Sequence, residues 1–295
     1  MLMGVRVYFL FNMKLIDSKV EYLPQENGIE GIYKMIEVAG RTAYQSLDKI
    51  TDDSAKGFVD RMINSRHFAA LEHGTVYLKV PNTDWIEDEH EWIYIFPDGL
   101  PWASIDSDGK YCYITTNYRH IEAKVGLDTM LKYLCEPTED FEKRYTFRFT
   151  IDIGVCRELL RHRVFSFLNE STRYCNYSKG KYGEELTFIE PSWGMDILMR
   201  DTFLSNLSDA ESHYLALIDQ GWKAEQARQV LPLATKTELI MTGFASDWRY
   251  LLDLRLYGKT GKPHPDMLNL MEKLRYKALE AGIWYDIMKY PSEFK

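Results

Sequence analysis

Two hydrophobic periods alternate along this chain, and the switches between them mark its elements. Met1 to Phe11, with the run Tyr8-Phe9-Leu10-Phe11, reads as a strand, and Lys14 to Glu21 as another. Ile29, Ile32, Tyr33 and Ile36 recur at helical spacing and predict a helix ending near Gly40. Phe58, Val59, Met62 and Ile63 predict a second, ending close to His67. Thr75 to Val80 alternates and predicts a strand. Tyr145 to Ile151 alternates again and feeds the apolar run Ile153 to Leu160, which reads as a buried helix continuing through Arg163. Leu186 to Glu190 is a strand stopped by Pro191. A long helix then runs to about Gln220, closed by Gly221, and the capping-box pattern Ser208-Asp209-Ala210-Glu211 predicts a break within it. Lys223 to Leu231 forms a helix stopped by Pro232, Ser246 to Leu256 another, and Pro265 opens a last helix through Leu279.

Interleaved strands and helices without a dividing linker predict an α/β or α+β fold. The expectation is a central mixed or antiparallel sheet flanked by helices, with a long central helix carrying Arg161-His162-Arg163, in a single domain over residues 1–295. Pro81 to about Lys143 breaks the pattern. It is acidic and aromatic, with Glu87-Asp88-Glu89-His90-Glu91, turn signals at Pro97-Asp98-Gly99 and Asp106-Ser107-Asp108-Gly109, and one helix suggested by Leu127, Met130, Leu131 and Leu134. Its acidic run reads as a solvated loop, and no metal is expected.

Composition narrows the function. A hydrophobic share of 45% fills a sizeable core, and 20 tyrosines suit flat ligands or interfaces as well as packing. A net charge of -8 argues against non-specific nucleic-acid binding. No apolar run approaches the roughly 18–20 residues of a spanning helix, and the first residues lack a basic lead and a small-residue cleavage site. Cys112, Cys135, Cys156 and Cys175 form no Cys-x-x-Cys pair and read as reduced structural thiols, so the expected setting is cytoplasmic.

Against that acidic background, the stretch from Arg161 to Tyr174 gathers three arginines, a histidine, a glutamate, an asparagine and four hydroxyls. Arginines at the end of a core helix need an anion, because an unpaired buried guanidinium is costly. On a helix running through Arg163, Arg157 and Arg161 share a face, as do Glu158 and His162, while Arg161 and Arg163 diverge. One segment then holds two anionic groups, either phosphates and carboxylates of a ligand or the protein's own Glu158 and Glu170.

The spacing of this stretch resembles a known signature. Arg161-His162-Arg163, seven residues, then Ser171, with Arg173 following, is similar to the motif of the flavin-dependent thymidylate synthase family. His67-Phe68-Ala69-Ala70-Leu71-Glu72-His73 resembles that family's His-x-Thr-Pro-x-Glu-His block, and Ala227-Arg228-Gln229-Val230-Leu231-Pro232 its Ala-Arg-x-x-Leu-Pro block. Leu254-Arg255, with His264-Pro265 beyond, resembles its C-terminal element, and Gly40-Arg41-Thr42-Ala43-Tyr44 extends the match towards the start. Shorter members pass almost directly from the Glu-His block to the strand before the arginine motif, so residues 81–143 look like an insertion.

The resemblance implies reductive methylation of dUMP to dTMP. The carbon would come from 5,10-methylenetetrahydrofolate, and FAD recharged by NADPH would supply the electrons, in a homotetramer with shared active sites. It implies Arg255 as the catalytic group that favours the N3-deprotonated uracil, and Glu158, Arg161, Asn169, Glu170, Ser171, Thr172, Arg173 and Arg228 as dUMP ligands with it. Arg173 and Arg228 would hold the phosphate, with Ser171 and Thr172 giving hydroxyl and amide donors, and Glu158 and Arg161 would reach a nucleotide from a neighbouring subunit. It implies flavin contacts from His67, Ala69, Glu72, Arg161, His162, Arg163, Asn169, Phe244, Ser246 and Tyr250. Ser171 reads as a ligand rather than a nucleophile, since the flanking arginines disfavour protonation of His162, its nearest candidate base. Cys175 reads as structural.

The chain departs from the pattern at Ala69, where Thr is typical, at Ala70 for Pro, and at Asn169, where an acid or glutamine is commoner and Glu170 stands next. Phe244 and Tyr250 stand where Asn or His often meets the flavin. No Gly-x-Gly-x-x-Gly fingerprint occurs, so FAD is not expected in a Rossmann site. Two other readings stay open: a related pyrimidine-nucleotide hydroxymethylase, and a non-catalytic nucleotide-binding protein.

Overall fold

The computed structural model describes residues 13–83, 95–96, 102–178 and 185–292. The strand expected over Met1 to Phe11, the acidic run Glu87 to Glu91 and the turn at Pro97-Asp98-Gly99 lie outside them.

Two short strands, β1 (Lys14–Ile16) and β2 (Lys19–Leu23), lead into α1 (Gly28–Ala43) and α2 (Ser54–Asn64). A 3-10 turn at Ala70–His73 precedes β3 (Thr75–Pro81), and β4 (Ser104–Ser107), β5 (Tyr111–Asn117), α3 (Tyr118–Lys124) and α4 (Leu127–Met130) follow. Then come β6 (Arg144–Asp152), α5 (Ile153–Leu159), β7 (Ser166–Asn169), β8 (Thr187–Ile189), α6 (Ile197–Asp219) and α7 (Ala224–Ala227). The described chain closes with β9 (Lys236–Phe244), α8 (Ala245–Arg255), α9 (Pro265–Glu280) and α10 (Trp284–Met288).

The main sheet is antiparallel, in the order β2-β6-β9-β7. A second antiparallel sheet has the order β3-β5-β4, and β1 pairs in parallel with β8. The fold is thus a mixture of helices and open, largely antiparallel sheets, as the interleaved pattern predicts.

Strand alternation gives the main sheet two different faces. Tyr145, Phe147, Phe149 and Ile151 of β6, with Leu239 and Met241 of β9, point to one side and form a cluster with Trp248, Leu251 and Leu252 of α8 and Met267, Leu270 and Leu274 of α9. Residues of the other phase are buried but polar: Arg144, Thr146, Ser166 and Thr242. Thr146 and Thr242 share a hydrogen bond of 2.8 Å between hydroxyls, and His73 Nδ1 reaches the Thr242 hydroxyl at 2.8 Å. α1 packs near this side against β7 and β9, with its own buried ion pair, Arg41 Nε to Glu37 at 2.7 Å, to which the Ser54 hydroxyl adds a bond at 2.9 Å. A buried face rich in donors is where this fold can hold polar ligands.

The stretch read as an insertion supplies β4 and β5, and β5 pairs along the full length of β3. Leu71, Val76, Leu78, Val80, Ile114, Ile121 and Leu127 share one core there. The predicted turn forms around Gly109 at φ +84°, where Asp108 Oδ1 accepts from the amides of Lys110 at 2.7 Å and Tyr111 at 2.8 Å. The helix suggested over Leu127 to Leu134 is a single turn, continued by a 3-10 turn at Leu131–Tyr133, after which Leu134 bridges to Leu78.

Three expectations need correction. The arginine motif does not ride on a long helix. α5 stops at Leu159, and Arg161-His162-Arg163 lie in the turn after it. The turn lets Phe165 swing under the sheet onto Trp248, with ring centroids 4.6 Å apart, and lets Ser166–Asn169 pair with β9. The break expected at Ser208 in α6 is absent, because the Glu211 carboxylate accepts the Leu186 amide at 2.7 Å instead of capping a new helix. The helix expected over Lys223 to Leu231 is α7 followed by a 3-10 turn at Arg228–Val230.

Candidate functional site

Arg255 ends α8, where the last turn of the helix meets the arginine turn after α5. Its Nε donates to His162 Nε2 at 3.1 Å, and a terminal guanidinium nitrogen lies 3.5 Å from the Glu158 carboxylate. An accepting Nε2 leaves His162 neutral, with its proton on Nδ1. Burial first, then the charges of Arg255 and Arg161, push its pKa down to about 4. The Arg255–Glu158 pair remains partly exposed, at 24% and 33% for the two side chains. The Asp253 carboxylate beside it is taken by Arg249 and Lys259, each at 3.2 Å.

A second group forms where the chain leaves β7. The Ser171 amide donates to Ala43 O at the end of α1 at 2.9 Å, so the hydroxyl is the free donor of Ser171, not the amide. Arg228 donates to the Thr172 hydroxyl at 3.0 Å, and Arg173 Nε to Glu225 at 2.9 Å. Glu225 and Arg228 lie one turn apart, so two exposed guanidiniums and a hydroxyl are gathered here.

Tyr44 joins this group to the His67 block. Its ring packs 5.6 Å from that of Tyr174, and its hydroxyl lies 3.5 Å from His67 Nδ1. His67 and Ala69 line a depression of about 370 Å³ with Tyr44, Leu168 and Arg119. Arg119 also borders the neighbouring cavity, about 440 Å³, which Glu72 and Arg163 line with Trp102, Asn117 and His120. Arg119 and Glu72 form an ion pair between the two.

Other expected site residues sit elsewhere. Glu170 is 3% exposed and locked inside: its carboxylate takes Lys236 Nζ at 2.8 Å, the Glu238 amide at 3.1 Å and the Tyr177 hydroxyl at 3.3 Å. Burial raises its pKa against the pull of Lys236. Asn169 accepts from the Thr237 hydroxyl at 3.0 Å, turned towards the sheet. Phe244 is buried under the Arg144 guanidinium, 5.6 Å from its ring. Ser246, whose amide donates to Glu142 at 3.2 Å, begins α8 while Arg255 ends it; at 1.5 Å per residue that separates them by roughly 13 Å. Tyr250 lies between them on the same helix. Arg161 is exposed in the turn and does not line the cavity that Arg163 lines.

Several residues around the site stand outside the expected set: Trp102, Asn117, Arg119 and His120 in the cavity wall, and Tyr44 and Arg144 through their contacts. Tyr44 links two blocks, and only its place in Gly40–Tyr44 signalled it. Arg144 is 8% exposed and its hydrogen bonds go to neutral groups: it donates to Glu72 O and the Ser166 hydroxyl at 3.3 Å, and to the Thr75 hydroxyl at 3.4 Å. Desolvation lowers its pKa to about 10. Its sequence signal was slight, one arginine opening an alternating strand. No group of three or more His, Cys, Asp or Glu side chains able to hold a metal ion occurs among the described residues. No described helix is long and apolar enough to cross a membrane.

Fold and geometry together define an α+β protein with several partly exposed guanidinium groups near the polar face of an antiparallel sheet. Comparison with known proteins shows what this chain resembles. Residues 139–279 match the family model described as thymidylate synthase complementing protein. Flavin-dependent thymidylate synthase of Geobacter sulfurreducens is 27% identical over 164 residues, 52% of this chain and 68% of that one. The enzyme of the same name from Pyrococcus furiosus is 31% identical over 122 residues, 40% of this chain and 49% of that one. The matched segments therefore span about half to two-thirds of these relatives. Among solved structures, the UMP/dUMP methylase PolB from Streptomyces cacaoi, bound with 5-Br dUMP, aligns over 94% of this chain and 97% of its own at 16% identity, with a TM-score of 0.46. Residues 139–279 are thus similar to the thymidylate synthase complementing protein family, and the relatives that match are flavin-dependent thymidylate synthases.

Proposed function

We propose that the protein methylates dUMP reductively to dTMP, with 5,10-methylenetetrahydrofolate as carbon donor and FAD as a cofactor that NADPH recharges. We infer a homotetramer over a single catalytic domain with an insertion at 81–143, acting in the cytoplasm. The observation that carries this reading is the meeting of Arg255, from the C-terminal element, with Glu158 and His162, from the arginine-motif segment 93 or more positions earlier.

A guanidinium fixed by a neutral imidazole and a carboxylate has little freedom, and its remaining N–H groups present a preorganised cation. Set against a uracil carbonyl and N3, that cation favours the N3-deprotonated form and raises electron density at C5, the atom to be alkylated. Nearby, Arg173, Arg228 and Thr172 suit a phosphate, since guanidiniums fork onto its oxygens. Their present partners, Glu225 and one another, are half-exposed and cheap to exchange. Glu158 and Arg161 would then serve a nucleotide bound across a subunit boundary.

The residues present fit a flavin. The cavity of about 440 Å³ is bordered by Arg119 and Arg163 against one carboxylate, Glu72, and the depression holding His67 and Ala69 adjoins it. That excess of guanidinium suits a pyrophosphate. When bound and reduced, the flavin supplies the hydride that turns the transferred carbon into a methyl group. Residues of this chain bind, orient and hold charge.

The test is an absorbance spectrum of the purified protein, a dUMP titration, then product mass after incubation with methylenetetrahydrofolate and NADPH. A flavin spectrum perturbed by dUMP and a mass gain of one methyl group are expected. A hydroxymethyl gain would reassign the product, and a protein colourless even with added FAD would overturn the reading.

A further inference from the structure

The cavity beside Arg163 has two walls of different origin. Glu72 and the segment Arg163 to Ser166 form one, and Trp102, Asn117, Arg119, His120 and Ala123 form the other. The second wall comes entirely from the stretch between β3 and β6. We propose that Trp102 and Arg119 complete the flavin site of this chain, with the indole as a stacking face for the flat ring system and the guanidinium as a ligand for the cofactor's phosphate. The inference rests on the flavin reading above and deepens it.

Trp102 is 43% exposed, yet its ring is held. The indole N–H donates to His120 Nδ1 at 2.9 Å, and His120 Nε2 in turn meets Ile95 O at 2.6 Å. Those two bonds fix one tautomer: Nε2 carries the proton, Nδ1 accepts, and the ring is neutral. The Thr116 hydroxyl donates to Trp102 O at 3.1 Å and ties down the backbone as well. A free surface indole explores rotamers and loses them on binding. This one has already lost them, so a flat ligand would meet a preformed surface. Stacking on such a face accepts any π-system of suitable size.

The charge around the cavity is unbalanced. Among the described residues, Arg119 and Arg163 border it with the single carboxylate of Glu72. Behind the wall, Arg144 bonds Glu72 O and the Ser166 hydroxyl while its buried Nε finds no partner. The Arg119–Glu72 pair is itself partly exposed, 48% and 26% for the two side chains, so a ligand phosphate can take Arg119 at small cost.

The full chain is titrated with FAD while flavin fluorescence and anisotropy are followed, for wild type, Trp102→Ala, Trp102→Phe, Arg119→Ala and, as a control on another surface, Trp222→Ala. Trp102→Ala should raise the dissociation constant by roughly tenfold or more and relieve part of the fluorescence quenching, whereas Trp102→Phe should recover most of both. Arg119→Ala should weaken binding and flatten its dependence on salt. Trp222→Ala should match wild type. If wild type binds FAD and Trp102→Ala or Arg119→Ala binds it with unchanged affinity, this assignment is wrong and the flavin reading stands. If wild type binds no FAD, both fall. Trp102→Phe and unchanged far-ultraviolet dichroism separate loss of stacking from loss of fold.

Discussion

The chemistry rests on a few charged side chains whose surroundings decide what they can do. Arg255 is held by a neutral His162 and by Glu158 at 3.5 Å in a partly exposed pair, so part of its guanidinium can still meet a ligand. Arg255→Ala is expected to leave the flavin spectrum intact and to lower dTMP formation by about 100-fold or more, the scale of removing a transition-state donor; normal turnover would remove Arg255 from the mechanism. Arg173→Ala should instead weaken dUMP by roughly 1.5–3 kcal/mol, read by calorimetry, with flavin unaffected. Legibility at this scale followed charge contrast. The arginine motif stood out because it follows an apolar run in an acidic protein. Arg144 did not, because one arginine before an alternating strand is the commonest of patterns, and only the fold shows that it is buried. Glu170 was named for its place beside Asn169 in the motif, but its ion pair was not legible, because Lys236 is 66 positions away in the chain.

Elements with a clean period were legible, and those without were not. β3 and β6 have one apolar and one polar face and were read directly, as were α1, α8 and α9 with their stop signals. β9 was missed because Leu239, Ile240 and Met241 are all buried, so period-two alternation disappears where both faces of a strand are covered. β7 was missed because its segment was read only as part of the motif. Just past their pairing, which ends at Ser166 and Thr242, comes Gly243 of β9, where an added Cβ would lie 2.4 Å from the Phe165 ring. That close approach seats the arginine turn against the sheet. Gly243→Ala should therefore cost about 1–3 kcal/mol in denaturant unfolding and disturb nucleotide binding through the displaced turn. A variant with wild-type stability would show that Phe165 has room to move.

Across the whole molecule, buried histidines couple stability to acidity. Burial pushes the pKa of His162 down to about 4 and that of His73 to about 3, and lowers that of His120. An unfolded chain protonates histidine near 6.5. Between that value and the depressed ones, the unfolded state binds more protons, so stability rises with pH. Their contribution is full above about 6.5 and is lost as pH falls towards 4 and then 3, at about 1.4 kcal/mol per pH unit per histidine. Glu170, whose pKa is raised, opposes the trend. Urea midpoints should fall from pH 7 to pH 4, and His162→Gln should shallow the slope; identical slopes for variant and wild type would contradict the buried neutral imidazole.

The two-faced sheet also lets the molecule proofread its own assembly. A slip of β9 by one residue against β6 would turn Thr242 towards Trp248 and aim Met241 at His73. Every hydroxyl and imidazole in that seam would be stranded without a partner, at about 1–3 kcal/mol each. Misaligned sheets are thereby disfavoured, and the polar seam leaves the strands a single way to come together.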